Sequence, residues 1–173
     1  MADAQIIGNT GTGTDYYSFD TWIFGCRFAA SASAQLNSLR ARLRVISGTK
    51  KVKMAIYSDV AGVPTALLGV SEENAAVTTS GWVSLAVAPG LSLVNGAYYW
   101  LAIQSNANVY FADTGGTDKY KISWTYGNFP ATFPTGPQTS AWLVDTDGWG
   151  AEAVTDVYNG RGIGRGIGRG IFR

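Results

Sequence analysis

Residues 39–56, LRARLRVISGTKKVKMAI, decide how this chain is read. Leu39, Ala41, Leu43 and Val45 alternate with Arg40, Arg42 and Arg44, the period of a strand with one face buried. Ser47-Gly48 marks a turn, and Val52, Met54 and Ile56 then alternate with Lys51, Lys53 and Ala55. The pattern predicts a hairpin with one apolar and one cationic face. If Ser47-Gly48 is its two-residue turn, Arg44 lies opposite Lys51 and Arg42 opposite Lys53. Like charges placed across a ladder destabilise it. The row Arg40, Arg42, Arg44, Lys51 and Lys53 is therefore solvated, or neutralised by acids of a neighbouring strand, or a contact face for an acidic surface on another subunit.

Outward from this stretch the strand signals continue in both directions. Residues 1–20 mix Gly, Thr, Asn and Asp and read as an irregular lead-in, followed by a core strand at Trp22–Ala30. Tyr57–Pro64 reads as a loop, with short strands at Leu67–Val70 and Ala75–Thr79 around the bend Glu72-Glu73-Asn74. Another strand begins at Ser80–Leu85. Asn95-Gly96, between Leu91–Val94 and Ala97–Ile103, is the strongest hairpin signal, because both turn positions tolerate positive φ. Further strands are expected at Val109–Ala112, Lys119–Trp124, Ala141–Val144 and Ala151–Tyr158, with a long loop at 126–140. The fold class is all-β: a jelly-roll-like β-sandwich over 21–158, an irregular segment at 1–20, and an extended C-terminal arm at 159–173.

Composition agrees. Charged residues are only 14% of the 173, too few to coat helical surfaces, while 22 glycines favour short strands and turns. Residues 1–160 hold nine cations against twelve anions, and the last thirteen hold four arginines and no side-chain acid. A weakly acidic body with a basic tail suits contact with something acidic. Cys26 is the single cysteine, in an apolar run, and reads as a buried thiol. No stretch is apolar enough to span a membrane, and Met1–Gln5 lacks the basic start of a signal peptide. The chain is read as made in a cytoplasm and working in a virion or extracellular assembly.

The stretch Val52–Ile103 carries a resemblance. Ala55-Ile56-Tyr57-Ser58-Asp59, Gly62-Val63-Pro64 with Leu67-Leu68, Ser80-Gly81-Trp82, and Leu93–Ile103 (LVNGAYYWLAI) are similar to jelly-roll modules of phage tail or virion proteins and of bacterial surface proteins. That resemblance implies a fold and an attachment or structural setting. It implies no catalytic residues.

Candidate chemistry is sparse. Without histidine, His-based triads and most catalytic zinc sites are excluded. Glu152 and Asp156 have no signal that would make them a hydrolytic pair. Asp145-Thr146-Asp147-Gly148 has the oxygen spacing of part of a calcium loop. The required downstream glutamate is out of place, so the segment reads first as an Asp-Gly turn, with no cofactor expected.

Two features remain. From Gly160 to Gly170 every even position is glycine, and the odd positions run Arg161, Ile163, Arg165, Ile167, Arg169, Ile171, Arg173. Extended, such an arm has one bare face and one Arg/Ile ladder. It gains order only by docking, and other copies of the chain are its expected partners. Four arginines without an aromatic run argue against nucleic acid there. The other feature is aromatic: Trp124, Tyr126, Phe129, Phe133, Trp142 and Trp149, with Asn128, Gln138 and Asp145 nearby. These rings either pin a long loop or fill an interface, or Trp124, Tyr126, Trp142 and Trp149 stack on a glycan. The reading is a non-enzymatic structural protein of a virus-like particle, tail or filament, assembling through body and arm with other virion proteins as possible neighbours. The alternative is a carbohydrate-binding or receptor-binding module that meets a cell-surface glycan.

Overall fold

A computed structural model describes residues 3–9, 15–19, 21–45, 47–107, 109–113, 119–139 and 146–152. The arm at 159–173, Trp142 and Asp145 lie outside the described residues. Fourteen strands and, among the described residues, no helix build two antiparallel sheets of seven strands each. One sheet holds β1 (Ala4–Gly8), β2 (Asp15–Phe19), β4 (Ala34–Arg44), β8 (Gly81–Ala86), β9 (Ser92–Leu93), β11 (Val109–Asp113) and β14 (Thr146–Glu152). The other holds β3 (Trp22–Ala29), β5 (Lys50–Val60), β6 (Val63–Val70), β7 (Asn74–Val77), β10 (Tyr98–Ser105), β12 (Lys119–Ser123) and β13 (Gln138–Thr139).

The sheets meet on one apolar core. Leu36, Leu39, Ala41 and Leu43 of β4 pack with Phe24, Cys26, Val52, Met54, Ile56, Leu101 and Ile103 of the facing sheet. Every second side chain of a strand reaches one face, which is why the alternation in Leu39–Arg44 and Lys51–Met54 sorts so cleanly into core and surface. Cys26 is buried, as its apolar run implies.

The pairing departs from the expected hairpin. β4 and β5 belong to different sheets, so Arg44 does not face Lys51, nor Arg42 Lys53. Arg42 lies opposite Trp82 and Arg40 opposite Ser84 of β8, whereas Lys53 lies opposite Gln104 of β10. The reason is burial: both strands are apolar on one face only over this stretch, and crossing the sandwich lets each face the other's core. It also separates the two rows of like charge.

Other readings change in the same way. The segment at 1–20 is not irregular throughout, for β1 pairs with β14 and β2 with β11. Tyr57–Pro64 is no loop: β5 runs to Val60 and β6 starts at Val63, joined only by Ala61 and Gly62 with φ of 53° and 82°. Positive φ at both positions makes the two-residue turn whose twist suits a hairpin. Asn95-Gly96 does make a turn, with Ala97 N–H donating to Val94 O at 3.0 Å and Gly96 at φ 77°. It joins no hairpin, because β9 pairs with β4 and β10 with β3 and β5. Asp147-Gly148 is not a turn either, but strand, paired with both β1 and β4.

β14 lies between β1 and β4, with a register shift at Trp149/Gly150. At Gly150 a β-carbon would overlap the Gln35 carbonyl, so only glycine lets the two backbones come this close.

Candidate functional site

The middle of the second sheet is buried on both faces. Residues 124–137 cross its outer side, and Phe129 and Phe133 seal a second apolar cluster with Ile23, Ala55, Tyr57, Trp100 and Ala102. Tyr57 meets both rings edge-on, at 6.4 Å and 5.2 Å, and its hydroxyl donates to Pro130 O at 3.0 Å. Burial pushes the Tyr57 phenol well above its ordinary range, so it stays protonated as that donor. The covering segment also pairs with the β6 margin: Leu67 N–H donates to Ala131 O and Phe133 N–H to Thr65 O. Of the aromatic group named from sequence, Phe129 and Phe133 are thus core residues that pin the loop.

Trp124 and Tyr126 have a different fate. With Thr21, Ser123, Thr125 and Asn128 they line an open groove of about 780 Å³ beside the loop. None of these six side chains is charged. The Trp124 indole N–H donates to Asn128 O at 3.1 Å, which fixes the plane of the ring. The Thr21 carbonyl accepts from Trp124 N–H at 2.8 Å, and Thr21 itself sits at φ 59°. A β-branched residue in the left-handed region is strained, and such strain gathers at binding sites.

Three anchors hold the groove loop from below. Gln104, 1% exposed, donates to Gly127 O at 2.6 Å and accepts from Gly127 N–H at 3.2 Å. The Tyr126 hydroxyl donates to Glu73 at 2.7 Å, and Lys51 and Lys53 each approach Glu73 at 3.4 Å. Lys53 also lies 5.3 Å from the centre of the Tyr126 ring. The bond from Tyr126, helped by both lysines, holds the Glu73 carboxyl below the usual carboxylate range. Desolvation and that same bond push Tyr126 up. At neutral pH the pair is therefore a neutral phenol on a carboxylate.

The five cations named from sequence split between two surfaces. Lys51 and Lys53 serve the groove loop, as described. Arg40, Arg42 and Arg44 stay together on the outer face of the first sheet, where the Arg40 guanidinium lies 4.9 Å over the Trp82 ring. Trp149 and Asp147 are in β14, where Trp149 pairs with Ser38 and Asp147 with Arg40. Among the described residues no three His, Cys, Asp or Glu side chains gather as a metal site, and no helix is long and apolar enough to cross a membrane.

One cluster was missed from sequence. Asp59 accepts from Arg27 at 2.8 Å and 3.0 Å, from the Trp100 indole at 2.8 Å and from Gly62 N–H at 3.3 Å. The Arg27 guanidinium also lies 3.9 Å over the Tyr98 ring. Burial works against ionisation of Asp59, but these donors outweigh it and its pKa falls below the usual value. Arg27 is the lone charge in Trp22–Ala29, and that isolation was the available signal. The cluster ties β3, β5 and β10 together at the end marked by Ala61-Gly62. It is a staple for the sheet, remote from the groove. No protein-family model matches this chain, and none of the curated proteins is significantly similar to it.

Proposed function

We propose that this chain is a non-enzymatic recognition module of a virion, tail, filament or surface protein, of jelly-roll type, and that it binds carbohydrate in the groove at Trp124 and Tyr126. The observation that carries the reading is the groove: two aromatic side chains, three hydroxyl side chains and one amide around an open, uncharged trough. Sugars present flat C–H faces to rings and hydroxyls to polar groups, and an open trough admits one end of a chain. The anchors from Gln104 and Glu73 support it further, since a loop ordered before binding loses less entropy on binding. Repeated crossing of the chain between two antiparallel sheets supports the jelly-roll assignment.

A glycan array probed with the full chain tests this, followed by calorimetry on a hit with Trp124→Ala. Binding that falls at least tenfold in the variant, at a temperature where it is still fully folded, is the expected result. Some loss of thermal midpoint is expected too, because Trp124 packs on the second apolar cluster. An array without hits, or hits that Trp124→Ala leaves untouched, would sink the idea.

A second reading, self-assembly through the arm, is favoured by the strict glycine alternation from Gly160 to Gly170. Removing 160–173 then abolishes oligomers in light scattering while leaving the body folded. Oligomers that survive the truncation reject it.

A further inference from the structure

The polar atoms of the groove fall into two kinds. Those of the aromatic side chains are already engaged: the Trp124 indole N–H donates to Asn128 O at 3.1 Å, and the Tyr126 hydroxyl to Glu73 at 2.7 Å. The two rings therefore meet a ligand as apolar surface. Thr21, Ser123, Thr125 and Asn128 complete the lining, and among the described residues their side chains have no hydrogen-bond partner. Three hydroxyls and one amide are left to donate to and accept from a ligand.

We infer that the groove accepts neutral saccharides and turns away acidic ones, the uronic and sialic acids, and that Glu73 sets this preference. The inference rests on the carbohydrate reading and adds the charge of the ligand to it.

A carboxylate entering this groove sheds water. Hydroxyl and amide donors restore part of what it loses but supply no positive charge. The described cations close by are engaged elsewhere. Lys51 and Lys53 each lie 3.4 Å from Glu73, and Lys53 also donates to Gly127 O at 3.5 Å. Lys121, two residues before Ser123, lies 4.9 Å over the Trp22 ring.

Glu73 adds a repulsive element. The Tyr126 bond holds its carboxyl ionised at neutral pH, directly behind the hydroxyl of a lining ring. A like charge set against the wrong ligand gives selectivity without any new contact to the right one. A neutral sugar meets the same rings and hydroxyls and loses nothing to that charge. Glu73 thus has two effects on the groove: it fixes the Tyr126 ring, and it holds both lysines away from an anionic ligand.

A glycan array of matched pairs that differ only in a carboxylate tests this on the full chain. The pairs are hexose oligomers against their uronate counterparts, and galactose-ended chains against their sialylated forms. Calorimetry then gives the affinity ratio for the strongest pair. The neutral member should bind roughly tenfold tighter or more, and the methyl ester of the acidic member should recover most of the difference. Glu73→Gln keeps an oxygen that accepts from Tyr126 but removes the charge and releases both lysines. It should cut the ratio roughly threefold at about 20 mM salt and much less at about 500 mM, where screening is strong. A role confined to holding the loop would weaken both members alike and leave the ratio unchanged.

An acidic member that binds the parent chain as tightly as its neutral partner overturns the inference and leaves the carbohydrate reading standing. A ratio that Glu73→Gln does not move overturns the assignment to Glu73. An array without any hit overturns the carbohydrate reading and this inference with it.

Discussion

β4 and β5 look like twins on paper and live differently in the molecule. Each is eleven residues long, and each alternates apolar side chains with cations near the Ser47-Gly48 turn. β4 keeps one buried and one open face along its whole length. β5 does so only as far as Lys53, and from Met54 to Tyr57 four consecutive residues are buried. The difference comes from outside the strand: residues 124–137 lie over the outer side of β5, whereas the outward residues of β4 are half-buried to exposed. Alternation within a strand reports which side chains share a face. Which layer covers that face is decided by residues far away in sequence.

The hardest test of this contrast is Tyr57→Ala. Removing a ring wedged between Phe129 and Phe133 should cost about 3–5 kcal/mol in urea unfolding. A small effect would mean that the covering loop is not packed on β5 and that the two strands are equivalent after all.

Next in size is Asp59→Asn, at about 2 kcal/mol, less than for a fully buried pair because the Arg27 side chain keeps 20% of its surface in water. Since the Asp59 pKa is lower in the folded state, its contribution is complete above the unfolded value near 4 and is lost as pH falls through the folded value. The variant should therefore show a flatter decline of stability below about pH 4 than the parent. An identical acid limb in the two proteins would remove Asp59 from the account.

Ala61→Gly should act in the opposite direction, by about 0.5 kcal/mol. Ala61 holds φ at 53°, a conformation that costs an L-residue about 1–2 kcal/mol, and the greater freedom of glycine in the unfolded chain returns part of that gain. A thermal melt that falls instead would show that the methyl group has a packing role at the turn.

Smallest is Arg42→Ser, the β4 position that faces outward as Tyr57 does on β5. Its stability should stay within about 0.5 kcal/mol of the parent. A loss approaching that of Tyr57→Ala would show the outer face of β4 to be covered too.

Much of this fold was legible in the sequence, for reasons that also mark where legibility stopped. The apolar positions Leu39, Ala41, Leu43, Val52, Met54 and Ile56 could be assigned to a core because a strand's geometry is local. Their partners could not, since Ser47-Gly48 suits a turn back along the same sheet and a step to the opposite one equally well. Asn95-Gly96 failed as a hairpin on the same ground. Of the site, Trp124, Tyr126 and Asn128 were singled out as aromatic and amide groups. Thr21, some hundred residues earlier, was not, because its approach depends on the β3–β12 pairing. Gln104 and Glu73 were unreadable as anchors for a similar reason: each acts on a loop more than twenty residues downstream.

The place of β14 between β1 and β4 has a consequence for biosynthesis. A ribosome delivers β3, β5 and β10, the middle of one sheet, by residue 105, but it must reach residue 152 before the other sheet can close around its centre. Until then β1 waits without its partner, and β4 shows an unsatisfied margin to solvent. A nascent chain paused short of that point is the form most exposed to chaperone capture and to clumping.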